Sequence, residues 1–307
     1  MSGASRPADE RARLTRRAAT ASAAVASFLL VLKAAAAWST GSASMLGSLA
    51  DTGLDLVASL VTLWGVRIAA VPADLNHRWG HGKAEAIAAL FQVMLISVSA
   101  VGIAFRAIQQ LVVGAQPENG SYAIAVSIAA IAATFALLAY QRRVIAATGS
   151  IAIATDNLHY KSDLLLNLAV IAAIVIDQFV GLRGADATFG IGIALWLLWS
   201  AWTASATAID QLMDTEWPEE KRQRFLTVAA QHPELKGIHD LRTRASGARD
   251  FVQFKVWVAA GLTVAEAHRV MDELEAKLAL SFPDIEILIH PEPEGHTTPG
   301  TAEQGAG

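Results

Sequence analysis

Six stretches of about twenty or more predominantly apolar residues run through the chain, near 19–40, 46–70, 86–112, 122–140, 151–176 and 187–209. Each is long enough to cross a hydrocarbon core of roughly 30 Å as a helix. In lipid a helix also satisfies its backbone donors and acceptors within the segment. The composition agrees: of 307 residues, 53% are hydrophobic and 17% charged, against about 25% charged in a typical soluble domain. The pattern predicts an all-α six-helix transmembrane bundle over residues 19–212, behind a short N-terminal tail, residues 1–18. The first run is too long for the core of a signal peptide and more spans follow it, so no targeting segment is expected.

Loop charge gives an orientation. Arg6, Arg11, Arg13, Arg16 and Arg17 precede the first span, Arg78 and Lys83 lie between the second and third, and Arg142 and Arg143 close the fourth. The other three connections carry only Glu118, Asp177, Arg183 and Asp186. The positive-inside rule then puts both termini in the cytoplasm. There are no cysteines and the formal net charge is -4. The first fact excludes thiolate zinc sites, disulfides and iron–sulfur clusters. The second argues against nucleic acid as a partner.

From Asp214 the chain turns charged and soluble in character. Glu219–His232 reads as a helix, Gly237–Thr243 as a strand and 245–248 as a turn. Phe251–Val258 alternates with period two, the signature of a half-buried strand. Thr263 and Glu266 are spaced as a capping box for a helix to Leu280, and Ile285–His290 is a last strand. The order αββαβ predicts a small cytoplasmic α+β domain, residues 213–293, ahead of a Gly/Thr/Pro-rich tail, 294–307, expected to be disordered.

The apolar spans contain ionisable residues that need a reason. Asp51 and Asp55 in the second span, and His159 and Asp163 in the fifth, are each four apart. Each pair therefore shares a helix face, about 6 Å apart along the axis. An ionisable group at bilayer depth costs about 2.5–3.5 kcal/mol on insertion scales. A shared divalent cation offsets much of that, and three carboxylates with one imidazole suit a four-coordinate zinc shell. One such residue alone would be read as an interhelical hydrogen bond; two pairs in opposed spans at overlapping depth point to a metal or proton site. Just past the second span stands an Asp-x-x-His-x-x-x-His cluster, Asp74, His77 and His81. No role suggests itself for Lys33 or Asp156.

Four segments together resemble the cation diffusion facilitator family, in particular its bacterial ferrous-iron/zinc efflux branch. They are Asp51-Thr-Gly-Leu-Asp55, the loop from Pro72 through Asp74, His77, His81 and Lys83 to Glu85, His159-Tyr-Lys-Ser-Asp163, and His239 to Gly247. The resemblance covers about residues 15–293. It implies a homodimeric antiporter that exports Zn2+ or a related divalent ion against protons, with a metallochaperone-like cytoplasmic domain. By this likeness Asp51, Asp55, His159 and Asp163 form the transport site, and Asp74, His77 and His81 a second site in the loop. His239, His268, His290 and Glu292 match a third, weaker set in the soluble domain, where Lys255 stands at a position that is histidine in relatives. Lys83 and Asp214 match a salt-bridge network between subunits and domains.

The implied ions are Zn2+ and, as alternatives, Fe2+, Cd2+ or Mn2+, acting as substrate and regulatory ion with no separate cofactor. His159 argues against manganese as the main substrate. Three other classes compete with this one. An intramembrane metalloenzyme lacks a His-Glu-x-x-His motif or a separate nucleophile. A channel needs a pore lined along its length, whereas the polar groups here form a discrete site. A membrane-anchored metal sensor is the third.

Overall fold

The structure, a computed structural model, describes residues 8–40, 43–113, 121–180 and 185–295. Six long helices come first: α1 (Ala8–Thr40), α2 (Ala43–Ala69), α3 (Ala84–Val113), α4 (Ser121–Thr148), α5 (Ile151–Val180) and α6 (Ala185–Leu212). Among the described residues five of them contain a stretch long and apolar enough to span a membrane, α5 being the exception. Its first half carries Asp156, His159, Lys161 and Asp163, so the helix that breaks the hydropathy rule is the one expected to hold half of the polar site.

The bundle turns large apolar side chains outward. Trp64, Phe105, Phe135, Leu195, Trp199 and Trp202 are all exposed, a surface that suits hydrocarbon rather than water. Alanines make up much of its buried interior, beside larger residues such as Ile96, Ile153, Tyr160 and Leu197. At Gly65 of α2 a Cβ would collide with the Ala88 methyl and the Ala84 carbonyl oxygen of α3, so this glycine sets how closely the two helices approach.

Two helix limits differ from the sequence reading by eight residues or more. The first helix begins at Ala8 rather than near 19, so Arg11, Arg13, Arg16 and Arg17 lie on its opening turns. The fourth continues past Tyr140 to Thr148, leaving Arg142 and Arg143 exposed within it. Its stop is Gly149, in the left-handed region at φ 66°, whose N–H donates to the Ile145 carbonyl at 2.8 Å. A glycine takes that conformation without Cβ strain, and it caps the helix.

A separate compact unit is built from Gln211 onward. It contains α7 (Glu219–Ala229), β1 (Gly237–Ser246), β2 (Arg249–Val258), α8 (Val264–Ser281) and β3 (Ile285–Pro293), the αββαβ order expected. The sheet order is β1-β2-β3, with β1 antiparallel and β3 parallel to β2. Strand β2 alternates as predicted, burying Val252, Phe254, Val256 and Val258. These meet Phe225 of α7 and Val270, Leu274 and Leu278 of α8 in one core. The capping box at α8 is formed on both sides: Glu266 N donates to Thr263 Oγ1 at 3.3 Å and Thr263 N to Glu266 Oε2 at 2.8 Å. The segment between α6 and α7 is held to this core by Trp217, which stacks on Phe282 and donates its indole N–H to Asp250 Oδ1 at 3.0 Å. Residues 296–307, most of the tail expected to be disordered, lie outside the described residues.

Candidate metal centres

The four-residue periodicity of α2 and α5 brings their polar faces together. His159 Nε2 lies 3.0 Å from Asp55 Oδ1 across the two helices and 3.8 Å from Asp163 Oδ2 one turn along α5. One turn from Asp55, the Ser59 hydroxyl and the Tyr160 hydroxyl are hydrogen-bonded at 2.8 Å, a second tie between the same helices. Asp55, His159 and Asp163 offer ligand atoms that all lie within 4.8 Å of one another. The imidazole is buried and both carboxylates are half-buried. Asp51 stands one turn from Asp55, exposed, and is outside this group. Near it, Lys33 Nζ of α1 donates to Thr52 Oγ1 at 2.6 Å.

The loop cluster is also assembled. Asp74 Oδ1 accepts the backbone N–H groups of His77 at 2.6 Å and Asn76 at 2.9 Å, a side-chain turn that folds the loop back on itself. Its other oxygen lies 3.4 Å from His81 Nε2, and the two imidazole rings are 4.4 Å apart. His81 Nδ1 faces the Val71 carbonyl at 3.3 Å. A proton held there leaves Nε2 as the lone-pair nitrogen directed at the cluster, an outer-shell device that fixes the tautomer. The His77 backbone N–H, ahead of every other cause, holds the Asp74 carboxyl below its ordinary range, so it is ionised at neutral pH.

The third set is assembled only in part. The sheet register makes His239 the direct partner of Lys255, and Lys255 the partner of His290, a row across all three strands. Glu292 Oε2 lies 3.0 Å from His239 Nε2, while Oε1 lies 3.1 Å from Lys255 Nζ. The lysine hydrogen bond is the largest influence holding the Glu292 carboxyl below its ordinary range. His290 is 3.8 Å from Glu292. His268 sits on exposed α8 surface facing Asp272 at 3.6 Å and is not brought to the others. The ligand atoms of this set do not form a third tight group among the described residues.

Of the two charges expected in a network, Asp214 lies 3.5 Å from Arg244 and takes a left-handed backbone, φ 57°. Lys83 precedes the first residue of α3. His232, the last residue of the stretch that reads as a helix, is buried with Nε2 3.6 Å from Glu273 of α8.

One feature carries no pattern in the sequence. Asp156 of α5 is completely buried and accepts hydrogen bonds from Ser22 of α1 at 2.5 Å, Gln141 of α4 at 2.6 Å and Gln92 of α3 at 2.9 Å. The only signal in the sequence was a charge with no evident use, three residues before His159.

A membrane bundle with an acid–imidazole cluster between two helices, followed by an αββαβ domain, has the make-up of a membrane cation transporter. Comparison with known proteins makes this specific. The description "Cation efflux transmembrane domain" matches residues 19–213, and "Cation efflux protein, cytoplasmic domain" matches residues 217–294. The chain is 40% identical to the cation-efflux pump FieF of Cronobacter sakazakii over 281 residues, 92% of this chain and 93% of that one. The FieF of Escherichia coli O127:H6 gives the same figures, 40% over 281 residues, 92% and 93%. A solved structure of CzrB in its Zn form is 38% identical and covers 28% of this chain and 98% of that one, with a TM-score of 0.27. The chain belongs to the cation efflux family, the cation diffusion facilitators, and is a cation efflux transporter with a dimerisation-type cytoplasmic domain.

Proposed function

We propose that the protein exports a divalent metal cation, with Zn2+ as its main substrate, in exchange for protons. The observation that carries this reading is the His159 imidazole held between Asp55 and Asp163 in the α2–α5 seam. Asp51, on the same face of α2, supplies the fourth ligand. Oxygen and imidazole donors suit zinc, cadmium and ferrous iron, and an imidazole disfavours manganese, which prefers all-oxygen shells.

The chemistry couples the fluxes. Metal requires the imidazole unprotonated and the carboxylates ionised, so metal and protons compete for the same atoms. A site that faces the two sides of the membrane in turn releases metal where protons are abundant and releases protons where metal is abundant. No covalent step is needed.

In this reading residues 19–212 form the translocating bundle of the cytoplasmic membrane, both termini lie in the cytoplasm, and residues 213–293 join two copies as a homodimer. Loop charge supports the orientation and the cytoplasmic-domain match supports the dimer. Asp74, His77 and His81 take a second ion at the cytoplasmic loop. Lys83 and Asp214 each contribute to a salt-bridge network between subunits. His239, His290 and Glu292 bind metal weakly, because Lys255 already occupies the carboxylate, and His268 adds little.

Calorimetry on the full chain tests the site. With Asp74, His77 and His81 replaced by alanine, Zn2+ binding should remain, release protons, and weaken as pH falls from 7.5 to 5.5. Adding His159→Ala should weaken it by at least about tenfold. Zinc affinity indifferent to His159 would remove the proposed site.

A further inference from the structure

The polar groups around Asp156 occupy a fixed level of the bundle. Ser22, Gln92, Gln141 and Asp156 are each at most 1% exposed, as is Thr62 of α2, to which Gln92 also donates. Ser22 and Gln141 both reach Asp156 Oδ2, Gln92 reaches Oδ1, and Gln141 also donates to Ser22 Oγ at 2.9 Å. A single carboxylate thus gathers α1, α3 and α4 onto α5, and α2 through Gln92. In a low-dielectric interior these hydrogen bonds are stronger than in water, and a buried carboxylate that loses a donor is costly.

The order of residues along each helix gives this level a meaning. Call the end that carries the α2–α3 and α4–α5 connections the loop end. Moving inward from it, four helices first contribute to an apolar cluster that includes Ala19, Val66, Val144 and Ile153. Next come Ser22, Thr62, Gln141 and Asp156, with Gln92 of α3 at the same level. Beyond them lie Asp55, His159 and Asp163. On α5 the steps are Ile153, Asp156 and His159, three residues each, about 4.5 Å of helix per step. A water-filled path running between α1, α2, α4 and α5 from the loop end to the cluster would cross both layers.

We infer that the Asp156 network is the latch that holds the loop-end half of the bundle shut over an apolar plug. The structure is then the state closed on that side, and the partial exposure of Asp55 and Asp163, 23% and 34% of their side chains, belongs to the other half. Opening toward the loop end requires α1 and α4 to let go of Asp156, and the exposed carboxylate exchanges those partners for water. Asp156 is a positioning residue: it sets which side the cluster faces without being one of its ligands. This inference rests on the transport reading for its purpose, but its test does not.

The chain has no cysteines, so single reporters can be placed cleanly. Ala19→Cys sits in the plug, and Ala100→Cys sits in the separate α3–α6 cluster; both alanines are 0% exposed. In the full chain reconstituted in nanodiscs, a small methanethiosulfonate reagent should react slowly with both. Asp156→Ala should raise the Ala19→Cys rate by about tenfold or more while Ala100→Cys stays protected. Ser22→Ala, which removes one donor, should give a smaller rise and serves if Asp156→Ala does not fold. An unchanged Ala19→Cys rate in a folded variant, or equal rises at both reporters, would overturn the latch, the second because the bundle has merely loosened. Zinc binding measured on the same samples separates the readings: its absence in the parent with the labelling pattern intact counts against the transport site alone.

Discussion

Across the seam between α5 and α2, the Nε2 atom of His159 faces Asp55 Oδ1 at 3.0 Å. If the imidazole sets the ion preference, His159→Asp gives an all-carboxylate shell. Zinc affinity should fall by at least about tenfold while manganese binding is retained or improved. Competitive binding of Zn2+, Cd2+, Fe2+ and Mn2+ to the purified variant checks this. An unchanged ranking would show that His159 does not select the ion.

The loop site carries a pH signature of its own. Asp74 has its carboxyl lowered from an ordinary 3.8 by the His77 backbone N–H. A carboxyl depressed in the folded state contributes stability above its unfolded pKa, and that contribution is lost as pH falls through the depressed value. The loop turn should therefore remain intact at pH 5 and open only below about 3.8. The His77 amide chemical shift should report one titration in that acid window. A midpoint above 4 would contradict the hydrogen bonding described.

Lys255 offers a gain-of-binding test. It is the cross-strand neighbour of both His239 and His290 and holds Glu292 Oε1 at 3.1 Å. Lys255→Ala frees that oxygen and removes a positive charge, so the full chain should bind up to one additional Zn2+ in equilibrium dialysis. The same change should raise the Glu292 carboxyl back toward its ordinary value, because the lysine is the main cause of its depression. Stability that the carboxylate supplies above its unfolded pKa would then fade at a higher pH on acidification.

Much of this was legible in the sequence because it is local. The period-two alternation of β2, the Thr263–Glu266 capping box and the i, i+4 pairs of α2 and α5 all depend on neighbours within a few residues, and the structure contains them. What was hidden depends on distant partners. The use of Asp156 requires Ser22, Gln92 and Gln141 from three other helices, none marked by spacing. The start of α1 at Ala8 is not legible from hydropathy, which locates where lipid begins, not where a helix does. His268 matched a family position, yet a position on a helix says nothing about which way its side chain faces.

Close helix approach at Gly65 predicts a stability effect without any polar contact. Gly65→Val places a side chain against Ala88 and the Ala84 carbonyl, and overpacking of this kind costs about 1–3 kcal/mol. The variant should melt at a lower temperature by fluorescence-detected unfolding in detergent, whereas Gly53→Ala, where a Cβ meets nothing within 4 Å, should be near neutral.

The most direct test of the account is zinc-dependent proton movement in proteoliposomes, the full chain beside Asp55→Ala, with a pH-sensitive dye and a zinc-sensitive dye read together. The account predicts that zinc entry drives proton exit, that an imposed proton gradient drives zinc against its concentration, and that Asp55→Ala abolishes both. Zinc movement without proton movement, or coupled movement that survives Asp55→Ala, would contradict it.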